Sequence, residues 1–244
     1  MHAITFTTLF IPFIANADEP KSDSKKSSRY EWKAEHDPNG IGKFYMGREI
    51  AHVMGHQAAS WLERATREEE EQPTKLLKVL KIEAGMVVAD IGAGSGYHAF
   101  RMAPSVGKNG KILAVDIQPE MLDIIKARMK KEKVTNVEPL LSKDDDPRLP
   151  DNAVDMILMV DVYHEFAYPY EMTAKMVKAL KPGGRLVFVE FKKEDPKVPI
   201  KEVHKMSERQ VIREMDEFKD LKHVETNKEL PWQHVITFKK MEKK

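Results

Sequence analysis

The chain has 244 residues, of which 41% are hydrophobic and 32% are charged, with a net charge of +1 and no cysteine. This length and hydrophobic share exclude wholesale disorder and predict one large domain or two small ones. The missing cysteine excludes disulfides, cysteine-ligated zinc and a cysteine nucleophile, and the balanced charge disfavours nucleic-acid binding driven by a basic surface.

Residues 1–17 predict an export signal. They contain no Asp, Glu, Lys or Arg, their apolar stretch at 4–14 is too short to span a bilayer comfortably, and they end on the Ala-Asn-Ala motif of a signal-peptidase site. The polar residues 18–30 predict a flexible linker. We therefore expect an exported or periplasmic protein with no membrane span in the mature chain. The alternatives are an uncleaved N-terminus, cytoplasmic or membrane-tethered, and a buried N-terminal strand.

Residues 31–85 predict a helical extension that acts as a lid. Apolar residues fall at helical spacing across 45–72, and a second short helix is expected around 76–80. The alternative is an amphipathic helix that packs on the core with a polar outer face.

The most suggestive side chains of this extension are Tyr45, Arg48, Glu49, His52, His56 and Trp61. Tyr45 and Arg48 are candidate substrate residues, although Arg48 is equally suited to pairing with a nearby glutamate. His52 and His56 are four residues apart, but no glutamate follows His52, so the H-E-x-x-H motif is not met. We therefore predict no metal site.

From residue 86 to the end, strand patterns alternate with helix patterns. Strands are predicted at 86–91, 111–117, 137–141, 154–160, 185–191, 222–226 and 234–238. Helices are predicted at 97–106, 119–131, 169–180 and 207–218, with a chain break at 181–184. This alternation predicts an α/β fold with right-handed crossovers and a largely parallel sheet. Ligands of such sheets bind beyond the carboxyl ends of the strands.

A glycine-rich motif, D-I-G-A-G-S-G at 90–96, follows the first of these strands. Its glycines allow a tight turn and let a ligand approach backbone N–H groups at a helix start. The third glycine stands one residue early for the nicotinamide fingerprint, and Tyr97 occupies the expected place. Asp116 ends the second strand, where a carboxylate accepts both hydroxyls of a ribose, in NAD and in S-adenosylmethionine alike.

Further polar residues follow the third and fourth strands. An acidic run at 144–146 offers a carboxylate to an adenine amino group, or is a solvated turn. His164 and Glu165 follow the fourth strand, where a histidine can remove a substrate proton and an adjacent carboxylate can orient it. The alternative is that His164 fills its loop through hydrogen bonds.

Taken together, five motifs resemble class I S-adenosylmethionine-dependent methyltransferases in order and spacing. The motifs are ADIGAGSG, AVDIQPEML, DDDPRLP, VDMILMVDVYHEF and LKPGGRLVFVE. The resemblance implies a Rossmann-like, seven-stranded, mostly parallel sheet over 86–244, with helices on both faces and an antiparallel seventh strand near one edge. The segment GREIAHVMGHQAASWLERATREEEEQP also resembles the N-terminal extension of a bacterial subgroup that is often exported.

The same resemblance implies roles for individual residues. The cofactor S-adenosylmethionine would be bound through Asp90, Gly92, Gly94, Gly96, Asp116, Asp145 and Asp161. Within this set, Asp116 would meet the ribose, Asp145 the adenine, and Asp161 the methionine part. Residues 163–166, Y-H-E-F, resemble the catalytic step of plant-type small-molecule O-methyltransferases. That likeness implies His164 as the catalytic base, with Glu165 beside it.

The function that follows is methyl transfer from S-adenosylmethionine to a small-molecule or lipid-like acceptor, with O-methylation if His164 acts as the base. Two alternatives stay open, a nucleotide-cofactor-binding module without turnover and a nicotinamide-dependent oxidoreductase. A nucleic-acid acceptor is disfavoured, because no Asn-Pro-Pro-Tyr-type step follows the fourth strand. The acceptor atom and the oligomeric state are not encoded in these motifs.

Overall fold

A seven-stranded sheet lies at the centre of the computed structural model, which describes residues 29–242. The predicted leader and residues 18–28 of the predicted linker lie outside the described residues. The strands are β1 (Tyr30–Trp32), β2 (Gly40–Tyr45), β3 (Arg48–Ala51), β4 (Val87–Ile91), β5 (Lys111–Asp116), β6 (Val137–Leu141), β7 (Val154–Val160), β8 (Leu180–Phe191), β9 (Leu221–Asn227) and β10 (Gln233–Lys240). The helices are Ala59–Leu62, Arg67–Glu70, Pro73–Leu80, Tyr97–Val106, Pro119–Glu132, Pro169–Ala179 and Glu208–Met215.

The strands of the central sheet run in the order β6-β5-β4-β7-β8-β10-β9. The pairs among β4, β5, β6, β7 and β8 are parallel, whereas β10 is antiparallel to both of its neighbours. This arrangement confirms the predicted seven-stranded sheet with one antiparallel strand inserted beside the edge. It also brings the carboxyl ends of β4, β5, β7 and β8 to one side of the sheet.

Two hydrophobic cores, one on each face, cover the sheet. Along β7, Met156 and Leu158 belong to one core, and Ile157 and Met159 belong to the other. This alternation follows from the two-residue period of a strand, and it explains why β7 is apolar throughout. Helices 97–106 and 119–132 pack on the first face, and helices 169–179 and 208–215 pack on the second.

The helix predicted over 45–72 is wrong. The structure has an antiparallel three-stranded sheet, β1-β2-β3, followed by short helical segments at 56–62 and 67–70. Met46 and Gly47 both have positive φ angles, 48° and 89°, which close a two-residue hairpin between β2 and β3. The predicted linker also ends in a strand, since Tyr30 belongs to β1 and is buried. The second short helix is confirmed at Pro73–Leu80.

The sequence predicted a break between helix and strand at 181–184, but in the structure these residues belong to a strand. Strand β8 already begins at Leu180, which pairs with Val154, and the register then shifts before Arg185 pairs with Met156. Gly183, at a φ of 77°, lies in this irregular stretch, so the glycines distort the strand rather than precede it. Within residues 29–242 no helix combines the length and the apolar character that crossing a membrane requires.

Candidate active site

A cavity of about 490 Å³ opens at the carboxyl ends of β4, β5 and β7, the side at which the sequence predicted a ligand. Residues of the N-terminal extension cover the cavity. We call the segment 53–62 the roof. The lining is largely apolar and includes Val53, Met54, Trp61, Leu62, Ile91, Ile117, Val162, Phe166, Met172, Phe191, Pro199 and Ile200.

Gly92 and Gly94 form one wall of the cavity. Both have positive φ angles, 69° and 54°. A Cβ atom on Gly92 would lie 2.4 Å from Val162, and one on Gly94 would lie 2.5 Å from Leu62 in the roof. Gly96 does not line the cavity; it precedes the helix Tyr97–Val106 at a φ of 80° and provides the turn into it. Only the first two glycines therefore line the cavity, and both of their amides donate within the protein, that of Gly92 to the Val115 carbonyl and that of Gly94 to Asp116.

Asp116 lies in the same wall, as predicted. Its Oδ2 accepts a hydrogen bond from the Gly94 amide at 2.8 Å, and its Oδ1 accepts one from the Gln118 amide at 2.9 Å. Burial raises the pKa of Asp116, and these backbone hydrogen bonds partly oppose that shift. The carboxylate is thus held rigid, with lone pairs left for the hydroxyls of a ribose.

Asp90 occupies a different place from the one predicted. It is buried beneath the glycine loop and does not line the cavity. Its Oδ2 has no hydrogen-bond partner among the described residues. Burial raises the pKa of Asp90 to about 7, although a hydrogen bond from the Ala99 amide opposes the shift. Asp90 therefore lies beneath the loop, and its contact with the cofactor stays a prediction.

Asp161 and Arg67 face the cavity from β7 and from the extension. Asp161 has a positive φ of 50°, and its Oδ1 has no partner within the described part of the chain. Burial, followed by the charges of Glu71 and Glu190, raises the pKa of Asp161 well above its ordinary value. Arg67 is buried and donates to Glu71 at 2.6 Å. The sequence did not reveal Arg67, because it stands in a charged run that looks like a solvated face.

The acidic run after β6 contributes a different residue from the one predicted. Asp144 lines the cavity together with Ser142 and Lys143, whereas Asp145 does not. Asp146 is committed to the turn, since its Oδ1 accepts a hydrogen bond from the Arg148 amide at 2.7 Å. Which carboxylate faces the ligand depends on the path of this turn, which the spacing alone does not fix.

His164 lies in a short helical turn after β7 and is only 2% exposed. Its Nδ1 is 2.6 Å from Oε2 of Glu190, whose Oε1 accepts the Tyr163 amide at 3.0 Å. Burial lowers the pKa of His164, but the Glu190 carboxylate outweighs burial, so the net pKa is raised. Since the carboxylate only accepts, Nδ1 carries the proton, and Nε2 is the nitrogen left for chemistry.

The carboxylate partner of His164 is therefore Glu190 and not the adjacent Glu165. Glu190 is the only charged residue in the buried stretch Leu186–Phe191 of β8, and this isolation at a strand end was the available signal. Glu165 instead accepts the Met54 amide of the roof at 3.2 Å. Burial raises the pKa of Glu165 to about 7, with the His164 charge opposing.

A second histidine, His204, completes this corner of the cavity. Its Nδ1 lies 3.2 Å from Nε2 of His164 and 3.9 Å from Oε1 of Glu165. Burial, together with the charge of His164, lowers the pKa of His204 to about 4. His204 lies in the irregular segment after β8, where no sequence pattern distinguishes it.

Tyr45 and Arg48, the two predicted substrate residues, do not line the cavity. Tyr45 is buried against the ring of Tyr30, with centroids 5.6 Å apart. Arg48 donates to both oxygens of Glu214 at 2.7 and 3.2 Å, and to the His164 carbonyl at 3.3 Å. Arg48 thus fixes the backbone of the His164 turn from behind, which corrects its predicted role.

The comparison with known protein families identifies this arrangement. A family model described as a methyltransferase domain matches residues 82–241. The chain belongs to this methyltransferase family. The match spans the whole central sheet and all of the strand ends that form the cavity. Of the two cofactor classes that the glycine loop allowed, S-adenosylmethionine is the one that this methyltransferase uses.

Curated proteins that resemble this chain are named as methyltransferases. The Ubiquinone/menaquinone biosynthesis C-methyltransferase UbiE of Francisella tularensis subsp. novicida is 32% identical over 120 residues, which is 49% of this chain and 47% of that protein. The demethylmenaquinone methyltransferase of Tropheryma whipplei is 35% identical over 114 residues, or 47% of this chain and 45% of that protein. The chain thus spans about half the length of the curated relatives it matches.

A solved structure extends the likeness to the fold. The crystal structure of a SAM dependent methyltransferase from Aquifex aeolicus superimposes with a TM-score of 0.73 and 26% identity, covering 78% of this chain and 100% of that one. Together these findings show that the chain belongs to a methyltransferase family and has the fold of an S-adenosylmethionine-dependent methyltransferase.

The cavity fits this cofactor on three grounds. Two glycines of the wall allow the loop to pack closely against Val162 and Leu62, so that its backbone borders the cavity. Asp116 is fixed in place for ribose hydroxyls. Arg67 and the unpartnered Oδ1 of Asp161 place polar groups on one side of the cavity, toward which the polar amino-acid end of the cofactor can lie.

Proposed function

We propose that this enzyme transfers a methyl group from S-adenosylmethionine to a hydroxyl of a small, largely apolar acceptor, with His164 as the base. The observation that carries the proposal is the buried pair of His164 and Glu190, which faces the apolar cavity beside the cofactor wall. A carboxylate at Nδ1 holds the imidazole so that Nε2 is presented as the proton acceptor.

On the cofactor side, each polar group of S-adenosylmethionine has a partner in the cavity. Asp116 holds the ribose hydroxyls, Arg67 the methionine carboxylate, Asp161 the methionine ammonium, and Asp144 the adenine amino group. When bound, S-adenosylmethionine supplies an already activated methyl group, so the chain mainly contributes orientation and the exclusion of water.

On the acceptor side, the mouth of the cavity supports a lipid-like molecule. Val53, Trp61 and Ile117 line the cavity and are nevertheless 49%, 41% and 42% exposed. Large apolar side chains that remain in contact with solvent at a cavity mouth suit an acceptor with an apolar tail. The names of the curated relatives refer to quinones, which supports a quinone-like ring in the acceptor.

The base mechanism has a geometric requirement. Nε2 of His164 faces Nδ1 of His204 at 3.2 Å, so His204 must turn aside before an acceptor hydroxyl can reach Nε2. Once the hydroxyl proton is on Nε2, Glu190 stabilises the imidazolium through Nδ1, and the acceptor oxygen attacks the methyl carbon. A deprotonated phenol can react at oxygen or at a ring carbon. The likeness of residues 163–166 to O-methyltransferases supports oxygen, whereas the relatives' names support carbon.

The test replaces the base and measures binding and turnover separately. His164→Ala should lower methyl transfer to a panel of alkylated phenols and hydroquinones by at least a hundredfold, because the nucleophile keeps its proton. S-Adenosylhomocysteine binding, measured by isothermal titration calorimetry, should stay within about threefold of the unmodified enzyme. His52→Ala, which changes an exposed histidine of the extension, is the matched control and should leave both quantities unchanged.

Undiminished transfer in the His164 variant would refute the base role. Mass spectrometry of the product separates an O-methyl ether from a C-methyl ring. Tight cofactor binding by the unmodified chain with no labelled product, from the panel or from extracted cell lipids, would instead favour the binding module without turnover.

A further inference from the structure

We infer that His164, Glu165 and His204 form a binding site for a divalent first-row transition-metal ion, for which Zn²⁺ is the probe. One ligand atom from each side chain lies within 4.8 Å of the other two. Two imidazole nitrogens and one carboxylate are the ligand set of many catalytic zinc and non-haem iron sites. This site was not predicted from the sequence, where only His52 and His56 had the spacing of possible ligands.

The distance between the two nitrogens fits a shared ion. Nε2 of His164 and Nδ1 of His204 lie 3.2 Å apart. Two nitrogens that each bind one tetrahedral zinc at about 2.0–2.1 Å are separated by about 3.3 Å. Oε1 of Glu165 is 3.9 Å from Nδ1 of His204, so a small rotation of this carboxylate completes the set.

The surroundings of His164 are those of a metal ligand. Its second nitrogen, Nδ1, donates to Glu190, and Glu190 is itself fixed by the Tyr163 amide. A carboxylate behind a histidine fixes the tautomer and increases the basicity of the ligating nitrogen. The backbone carbonyl of His164 is held by Arg48 as well, so the ring has little freedom to move away.

All three ligands line the cavity, so an ion here has an open coordination position toward the acceptor. This part of the inference rests on the proposed function. A bound ion would take the place of the base: Nε2 of His164 would be a ligand, and the acceptor hydroxyl, bound at the open position, would release its proton to water. The oxygen's electron pair then forms the new bond to the methyl carbon, while the S–C electron pair returns to sulfur.

The experiment titrates ZnCl₂ into the chelator-treated full-length chain by isothermal titration calorimetry. We expect one ion per chain at the cluster. His204→Ala and Glu165→Gln should each weaken that binding at least tenfold, whereas His52→Ala, the exposed-histidine control, should leave it unchanged. Circular dichroism and the melting temperature establish that each variant is folded. Equal zinc affinity in His204→Ala and the unmodified chain would overturn the inference, as would loss of binding in His52→Ala.

A second readout does not depend on the variants folding. Co²⁺ bound by the unmodified chain should give the visible absorption of a four- or five-coordinate nitrogen and oxygen site, and anomalous diffraction from a zinc-soaked crystal should place the ion between His164 and His204. An ion found only on the surface would refute the site.

Methyl transfer measured before and after chelation separates this inference from the proposed function. Transfer that persists without any bound ion rejects a role of the ion in the reaction and retains the base mechanism, while the binding measurements above decide whether the site exists. An ion bound at the cluster, with no transfer to any acceptor, retains the metal site and rejects the proposed function.

Discussion

At the scale of single residues, Gly94 shows how tightly the extension lies on the cofactor loop. Gly94→Ala would place a Cβ atom 2.5 Å from Leu62 while the backbone has a φ of 54°. We expect S-adenosylhomocysteine binding to weaken at least tenfold, because either the loop or the roof must move. Isothermal titration calorimetry measures the change.

Gly85→Ala is the matched control, since Gly85 has a φ of 88° but no atom of residues 29–242 lies within 4 Å of the added carbon. It carries the backbone strain of about 1–2 kcal/mol without the clash. Equal affinities in the two variants would show that the roof does not constrain the loop.

Asp90 makes stability depend on pH. Burial raises its pKa from 3.8 to about 7 in the folded protein, so the folded state holds a proton that the unfolded state has lost over this range. The contribution of Asp90 to stability is therefore largest below pH 4 and declines as pH rises toward 7. Asp90→Asn should remove this decline and melt several degrees higher than the unmodified protein at pH 8.

Melting curves of the apo-protein from pH 4 to pH 8 test the effect. Asp123→Asn is the control, because Asp123 is 72% exposed and should leave the pH profile unaltered. Parallel profiles for Asp90→Asn and the unmodified chain would contradict the assignment.

The site residues that could be predicted from the sequence lie at the carboxyl ends of strands. Asp116, Asp161 and His164 could be predicted because the sheet pattern fixes which residues follow each strand. Arg67 and His204 could not, because their approach to the cavity depends on how irregular segments fold back over the sheet.

At the scale of elements, a buried ion pair attaches the small N-terminal sheet to the main domain. Arg48 of β3 and Glu214 of helix 208–215 have side chains only 8% and 0% exposed. Arg48→Met leaves Glu214 buried without its cation and should lower the free energy of unfolding by about 3–5 kcal/mol. Urea denaturation measures this loss.

Lys111→Met provides the comparison for an exposed pair. Lys111 and Glu138 lie 2.7 Å apart but are 50% and 54% exposed, so the loss of stability should be about 0–1 kcal/mol. If the two variants lose similar stability, the buried pair does not anchor the small sheet.

Elements of the central sheet were predicted to within a few residues at most boundaries, because each is a short apolar run between turn residues. The strands of the N-terminal extension were not predicted, because the same apolar positions suit a helix or two short strands. The turn at Met46 and Gly47 decides between them, since both residues take positive φ angles that a helix excludes. In β8, the lysine, proline and glycines resembled a loop, but pairing with β7 draws Leu180 into the sheet.

At the scale of the whole molecule, the sequence pattern outside the described residues still makes a prediction. The apolar stretch and Ala-Asn-Ala motif of residues 1–17 predict removal of a leader. Protein isolated from its native cells should therefore begin at Asp18, as read by mass spectrometry of the intact chain. An intact Met1 would contradict cleavage, and fractionation of those cells would then distinguish a tethered protein from a cytoplasmic one.

The roof has a kinetic consequence for the enzyme as a whole. Gln118, just beyond Asp116, accepts the His56 amide at 2.8 Å and donates to the Met54 carbonyl at 3.0 Å. These bonds tie the segment that covers the acceptor side of the cavity to the strand that carries the ribose wall. Entry and release on the two sides are therefore not independent events. Opening the roof would require both Gln118 hydrogen bonds to break, and in many enzymes lid opening of this kind is slower than the chemical step.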